Sequence, residues 1–195
     1  MKSKLVFDYK IKKADKNRFN CHKSIVVWFL GLSGSGKSTF ANFLEEDLFK
    51  NKIRTSVLDG DQLRSGLNSD LDFSLEDRME NIRRVAEISK IMTQNGLVTI
   101  CSFISPLEKQ RELVKSIIGI ENIFWIYVNT PIKVCIKRDP KGLYRKALKG
   151  EIKEFTGISQ IFETPKIIDF EIDYKVDLSD NRTSLLNEVL KKIAQ

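Results

Sequence analysis

Lys37 and Ser38 sit in the run GLSGSGKST, Gly31 to Thr39, where Gly31 and Gly36 bracket four residues and the lysine and a hydroxyl follow at once. That is the Walker A spacing, and its residue types suit a polyphosphate. Backbone N–H groups along Gly31, Leu32, Ser33, Gly34, Ser35 and Gly36 can wrap close to anionic oxygens at the start of a helix. Lys37 can set its ammonium between a β- and a γ-phosphate, and Ser38 carries the small hydroxyl that a phosphate-bound Mg²⁺ accepts as ligand. Further along, Asp59 and Asp61 follow Leu58 in LDGD. Two carboxylates at the end of an apolar run lie where ligands of open α/β sheets bind. One could organise metal-bound water and the other orient an acceptor hydroxyl. Arg64, Phe73, Arg78 and Asn81 come next, with Arg78 and Asn81 three apart and so on one helix face. Arginines fork onto phosphate or sulfate oxygens and Phe73 can stack on a base, which points to a second anionic substrate carrying a ring.

These groups need elements to hold them, and the chain alternates strand and helix signals without repeats. The spacing predicts strands at Ser24 to Leu30, Thr55 to Leu58, Leu97 to Ile104, Ile123 to Val128 and Tyr174 to Leu178. Most are short apolar runs, as expected of a parallel sheet covered on both faces. Ser74 to Asp77 has the spacing of a capping box ahead of Ile82, Val85, Ile88 and Met92, so a helix starts there and runs towards Gln94. Leu185, Leu186, Val189 and Ile193 give a closing helix one apolar side. The class is α/β. Asp139 to Ile158, rich in Lys and Gly, reads as a mobile cationic lid closing over phosphates.

Composition bounds the rest. With 195 residues, 42% of them hydrophobic, one domain over residues 21–195 is expected, preceded by a basic tail over 1–20. Residues 1–23 hold eight Lys/Arg and two Asp/Glu, hence +6 of the formal +7. Without aromatic interleaving or a nucleic-acid motif, this reads as a solvated tail, with no nucleic-acid partner. Residues 1–20 lack the apolar core of a signal peptide and no later run is long enough for a membrane, so a cytoplasmic protein is expected. Cys21, Cys101 and Cys135 are too widely spaced for a metal pair or a disulfide framework; the last two read as core residues.

GLSGSGKST, LDGD with Arg64 after it, the DR-x-ENIRR run from Asp77 to Arg84, FISP at Phe103 to Pro106, RDPKGLY from Arg138 to Tyr144 and FTGI from Phe155 to Ile158 together resemble the adenylyl-sulfate kinases. The likeness runs from about Asn20 to the C-terminus. It implies a three-layer P-loop kinase fold with a central parallel sheet. The activity implied is transfer of the γ-phosphoryl of ATP, with Mg²⁺, to the 3′-hydroxyl of adenosine 5′-phosphosulfate. Carried over, it makes Lys37, Asp61 and Ser105 the catalytic set, with Ser38 and Asp61 at the metal and Asp59 among the acceptor contacts. The P-loop from Gly31 to Thr39, with Arg138 near the adenine, would take ATP. Arg64, Arg78 and Asn81 would hold the phosphosulfate, Phe73 and Phe155 sandwich the second adenine, and Ile104 and Ser105 line that pocket. Lys141, Gly142 and Leu143 would close over it. Ser105 matches a serine proposed in the family as a phosphorylated intermediate, but in-line transfer needs only positioning and charge neutralisation, which favours pocket lining. The family is often dimeric, so a homodimer is expected.

Some positions depart from the family pattern: Gln62 for Asn, Asp72 for Gly, and Leu107 and Glu108 where an aromatic or His and then an Arg are common. The change at 108 reverses a charge close to the acceptor pocket, where a carboxylate is expected to repel a sulfate. Two other readings therefore stay open: a kinase of the same fold acting on another nucleotide with a modified phosphate, and a non-catalytic nucleotide-binding module.

Overall fold

Five consecutive apolar residues, Val26 to Leu30, have no exposed surface and form β1 (Val26–Leu30), the middle strand of a five-stranded parallel sheet. A strand with both faces covered is selected by such an unbroken apolar run. In the computed structural model, which describes residues 8–194, β1 is preceded by α1 (Lys13–Asn20) and followed by α2 (Lys37–Lys50), β2 (Thr55–Asp59), α3 (Gly60–Arg64) and α4 (Leu75–Gln94). Then come β3 (Val98–Ser102), α5 (Glu108–Ile118), β4 (Ile123–Asn129), α6 (Ile132–Arg138), α7 (Leu143–Leu148), β5 (Phe170–Asp173) and α8 (Leu178–Ile193). The strand order is β2-β3-β1-β4-β5.

Alternation along β1 divides the core into two layers. Val27 and Phe29 pack with Phe40, Ala41, Leu44 and Leu48 of α2 and Leu185, Val189 and Ile193 of α8. Val26, Trp28 and Leu30 pack with Ile82, Val85 and Ala86 of α4 and Val114 and Ile118 of α5. The result is the three-layer α/β arrangement expected. Because the first crossover skips a position, β3 lies between β1 and β2. Register then sets Asp59 level with Ser102, and Ser102 level with Phe29 just before the glycine loop.

Two expectations need correction. The fifth strand is Phe170–Asp173, not Tyr174 to Leu178. The Asp173 carboxylate accepts from the Lys175 backbone N–H at 2.9 Å and Asp177 from that of Ser179 at 2.9 Å, so Asx turns end the strand and cap α8. Local side-chain-to-backbone bonds thus outweigh the alternation of Tyr174, Val176 and Leu178. The basic segment is also not wholly solvated: α1 docks across the N-terminal edge of the sheet. Lys16 Nζ donates to Asn95 Oδ1 (2.6 Å) and to the Gln94 carbonyl (3.3 Å), Asn20 Nδ2 to the Gly96 carbonyl (2.9 Å) and Lys13 Nζ to Asn122 Oδ1 (2.6 Å). Lysine at the C-terminal carbonyls of α4 also meets the negative end of that helix dipole. Residues 1–7 lie outside the described residues.

The segment 139–158 is only partly a flap. Tyr144 and Ala147 of α7 are buried with Cys135 and Phe155 in a third apolar cluster. Asp139 caps α7, its carboxylate accepting from the Tyr144 and Arg145 backbone N–H groups at 3.0 and 2.9 Å.

Leu44, 1% exposed, fills the α2–β1 layer. Leu44→Ala is expected to cost about 3 kcal/mol by removing buried methyls and leaving a cavity. It should appear as a lower urea midpoint with an unchanged slope. A midpoint equal to the wild type's would contradict this packing.

Candidate active site

The loop after β1 turns back under the start of α2 through glycines. Gly31 has φ 146°, and a Cβ there would stand 2.8 Å from the Val128 carbonyl oxygen, so no side chain fits. Gly36 has φ 110° and caps α2 without a side-chain acceptor, which leaves the first-turn N–H groups of Lys37, Ser38 and Thr39 available to an anion. Lys37 Nζ donates to the Gly31 carbonyl at 3.1 Å and the Leu32 carbonyl at 2.8 Å. Burial lowers its pKa to about 8. Thr130 Oγ1 and an Arg138 guanidinium N–H brace the loop from behind, both donating to the Ser35 carbonyl, at 2.9 and 3.3 Å.

The carboxylates stand opposite. Ser38 Oγ donates to Asp59 Oδ2 at 2.7 Å and lies 3.2 Å from Ser102 Oγ. Asp59 also caps α3, accepting from the Asp61 backbone N–H at 3.0 Å. Asp61 is ion-paired with Lys141, reaching in from the 139–158 segment. The two aspartates are therefore differentiated: Asp59 faces the P-loop serine and Asp61 the lid cation.

A single cleft of about 1280 Å³ joins this centre to a second lobe walled by Arg64, Phe73, Arg78, Asn81, Ile104, Ser105 and Phe155. At its rim the Arg64 guanidinium lies 4.3 Å from the Phe73 ring centroid and donates to the Leu71 and Asp72 carbonyls at 3.1 and 3.2 Å. Arg78 crosses the cleft mouth, donating to the Glu154 carbonyl at 2.6 Å and Thr156 Oγ1 at 3.1 Å. Phe155 is buried edge-on against Tyr144, with centroids 4.9 Å apart. Ser105 is 1% exposed, and its hydroxyl accepts the Trp28 indole N–H at 3.0 Å. Its φ of 43° is unusual for a residue with a side chain. Arg111, itself buried, donates to the Ser105 carbonyl at 2.9 Å and supports that turn.

Most of the residues singled out in the sequence line this one cleft: Ser33, Gly34, Gly36 to Thr39, Asp59, Asp61, Arg138, Lys141 and Leu143 join the second-lobe set. Gly31, Leu32, Ser35 and Gly142 do not. The first three supply backbone behind the loop, and Gly142, φ 66°, occupies the N-cap position of α7, whose first-turn N–H groups bond the Asp139 carboxylate. The expectation for Glu108 is overturned. Its carboxylate is paired with Arg111 at 2.8 Å and lies 3.7 Å from Lys115, while Gln110, not Glu108, lines the cleft. With two cations beside it, the charge is answered within α5 itself.

Sequence reasoning missed Ser102, Trp28, Tyr144 and Thr130. Tyr144 ties the lid to the P-loop by donating from its hydroxyl to the Ser33 carbonyl at 3.0 Å. Ser102, the last residue of β3, carried one usable signal: a hydroxyl at a strand's C-terminal end, beside the strand that carries Asp59.

Among the described residues no helix is long and apolar enough to cross a membrane. A family model described as adenylylsulphate kinase matches residues 23–173. An adenylyl-sulfate kinase of Buchnera aphidicola subsp. Acyrthosiphon pisum is 50% identical over 178 residues, 91% of this chain and 86% of that protein. One from Bacteroides thetaiotaomicron is 47% identical, covering 96% of this chain and 94% of its own. The Mycobacterium tuberculosis APS kinase CysC, solved in complex with AMPPNP and APS, superposes with a TM-score of 0.81 at 40% identity, covering 86% of this chain and 98% of that one. A P-loop facing paired aspartates, one cleft with two lobes, and likeness along nearly the whole chain agree: the chain belongs to the adenylylsulphate kinase family.

Proposed function

We propose that the protein transfers the γ-phosphoryl group of ATP to the ribose 3′-hydroxyl of adenosine 5′-phosphosulfate, giving 3′-phosphoadenosine 5′-phosphosulfate and ADP. The observation that carries this reading is the continuity of the cleft between the P-loop and the lobe built on Phe73, Arg78, Asn81 and Phe155. A kinase needs both substrates in one water-poor space with donor phosphate and acceptor oxygen in line.

In this reading the α2 amides, Lys37 and the P-loop amides bind the triphosphate, and Arg138 borders the nucleoside end. Arg64, Arg78 and Asn81 provide cations and an amide for the phosphosulfate, while Phe73 and Phe155 offer aromatic surface to the adenine. Asp61 orients the 3′-hydroxyl and takes its proton as the new P–O bond forms and the bond to the β,γ-bridging oxygen breaks. Before that transfer, Lys141 exchanges its ion pair with Asp61 for substrate phosphate, which frees the carboxylate to accept the proton. The oxygens of Ser38, Asp59 and Asp61 are a hard donor set that fits Mg²⁺, which takes one or two carboxylates and completes its shell with phosphate and water. When bound, Mg²⁺ neutralises charge on the β- and γ-phosphates. The Ser105 hydroxyl, buried under the Trp28 indole, serves as pocket wall rather than phosphate carrier. With Glu108 paired to Arg111, its charge no longer counts against a phosphosulfate acceptor. Cys101 and Cys135 are free and buried and Cys21 is free and exposed, in keeping with a reducing cytoplasm.

Release of ADP with Mg-ATP and adenylyl sulfate, with the product identified by mass and AMP as control acceptor, tests the reading. Saturable formation of the 3′-phosphorylated product is expected, and turnover of AMP alone would overturn it. Asp61→Ala should lower kcat by roughly a hundredfold or more, as loss of a general base does, and leave ATP binding in place. Ser105→Ala should keep appreciable activity; complete loss with an intact fold would reinstate a phosphoserine step.

Lys37 gives a pH prediction. Burial holds its pKa at about 8 in the free protein, whereas bound phosphates favour the charged ammonium and raise it. Both states are protonated well below pH 8, so affinity for ATP is full there. Above pH 8 binding must take up a proton, and affinity falls. Calorimetry in buffers of different ionisation enthalpy should detect that uptake near pH 8.5. Its absence would remove Lys37 from the phosphate contact.

A further inference from the structure

Asn68 lies in the turn between α3 and α4, fully buried, and is not a wall of the cleft. Its amide Nδ2 donates to Asn81 Oδ1 at 2.9 Å, while its own Oδ1 is buried and has no hydrogen-bond partner among the described residues. A buried amide with an unanswered oxygen costs stability, and an apolar side chain of similar size would avoid that cost. Its one side-chain partner is a residue that faces the cleft.

The bond has a consequence for polarity. Asn81 lies on α4 and lines the acceptor lobe. An asparagine amide presents either an acceptor oxygen or two N–H donors, depending on which way it is turned. Because Asn68 donates to Asn81 Oδ1, the Asn81 NH₂ is the end left for the cleft. An anionic acceptor gains from that end and is repelled by the other. The turn itself is held so that this bond persists. Asn68 N–H donates to the Leu63 carbonyl at 2.9 Å, and Arg84, one turn beyond Asn81 on α4, donates to the Leu67 carbonyl at 3.1 Å and pairs with Asp70 at 2.6 Å. Asn68 therefore cannot drift from Asn81 without breaking contacts on both sides of it.

We propose that Asn68 is a positioning residue that sets the amide orientation of Asn81, so that the acceptor lobe offers N–H donors to the anionic group of its substrate. The inference rests on the reading above that this lobe binds the phosphosulfate. It assigns a role in acceptor affinity to a side chain that touches no substrate, and predicts that this role is kept at a cost in stability.

The test measures KM for adenylyl sulfate and for ATP, with thermal midpoints, in Asn68→Leu and Asn68→Asp. Asn68→Leu removes the donor while keeping the shape. It is expected to raise KM for adenylyl sulfate about tenfold, the scale of one hydrogen bond to a charged group, with KM for ATP unchanged and the midpoint equal to or above the wild type's. In Asn68→Asp the carboxylate can only accept, turns the Asn81 oxygen into the cleft and should raise the same KM further. Acid pH, by protonating the new carboxyl and restoring a donor, should bring it back towards wild type in that variant alone. An unchanged KM for adenylyl sulfate in Asn68→Leu would overturn the proposal. So would a parallel rise in both KM values with a lowered midpoint, the pattern of a merely structural residue. Wild-type protein that does not phosphorylate adenylyl sulfate would instead defeat the underlying reading, and the inference with it.

Discussion

Everything at the catalytic edge depends on the burial of one ammonium. Lys37 sits at the start of α2, removed from water, with its hydrogen bonds going to the loop carbonyls of Gly31 and Leu32 and with Asp59 and Asp61 near enough to favour its charge. Desolvation outweighs these oxygens and carboxylates, and the lowered pKa records the shortfall. A polyphosphate supplies what is missing. The glycine geometry, the uncapped α2 amides and the brace from Thr130 and Arg138 to Ser35 all serve to hold that cation ready in a low-dielectric place. Preorganised charge of this kind needs little reorganisation when the substrate arrives, which is where much of an enzyme's electrostatic advantage lies.

The second lobe solves a different problem. Its cations come from separated pieces of chain and must remain near each other without a ligand between them. Arg64 is held over Phe73 and by the Leu71 and Asp72 carbonyls; Arg78 is held by the Glu154 carbonyl and Thr156. Neutral acceptors and a ring face keep each guanidinium in place without cancelling its charge. Lys141, by contrast, is paired with a carboxylate, that of Asp61. The lid is likewise divided: Tyr144 and Ala147 anchor α7 in an apolar cluster, and Tyr144 reaches the P-loop carbonyl of Ser33. The part of this segment that reaches the cleft wall is the polar stretch around Lys141 and Glu151 to Glu154.

Much of this was legible in the residues. The P-loop, the LDGD pair and the Arg64 to Asn81 cluster are local patterns, because each depends on spacing along one strand end, turn or helix face. The first four strands were legible for the same reason, as short apolar runs. The fifth was not, since Asx turns at Asp173 and Asp177 competed with an alternation that looked like a strand. The helix within the basic segment was missed because its lysines find partners more than 70 residues away, at Asn95 and Asn122.

Sequence alone determined which chemistry was present: a phosphate loop, two carboxylates, and arginines with an aromatic ring, each specified by residue type and near-neighbour spacing. Tertiary structure decided how that chemistry was shared out. The position of β3 between β1 and β2 brought Ser38 to Asp59 and Ser102, leaving Asp61 to Lys141. Packing of α5 turned Glu108 to Arg111 and kept it off the cleft wall. Such assignments depend on which of several possible partners is closest in space, and strand order and helix rotation set those distances. Spacing along the chain cannot, because Coulomb and hydrogen-bond energies fall off within a few ångströms while the partners lie tens of residues apart.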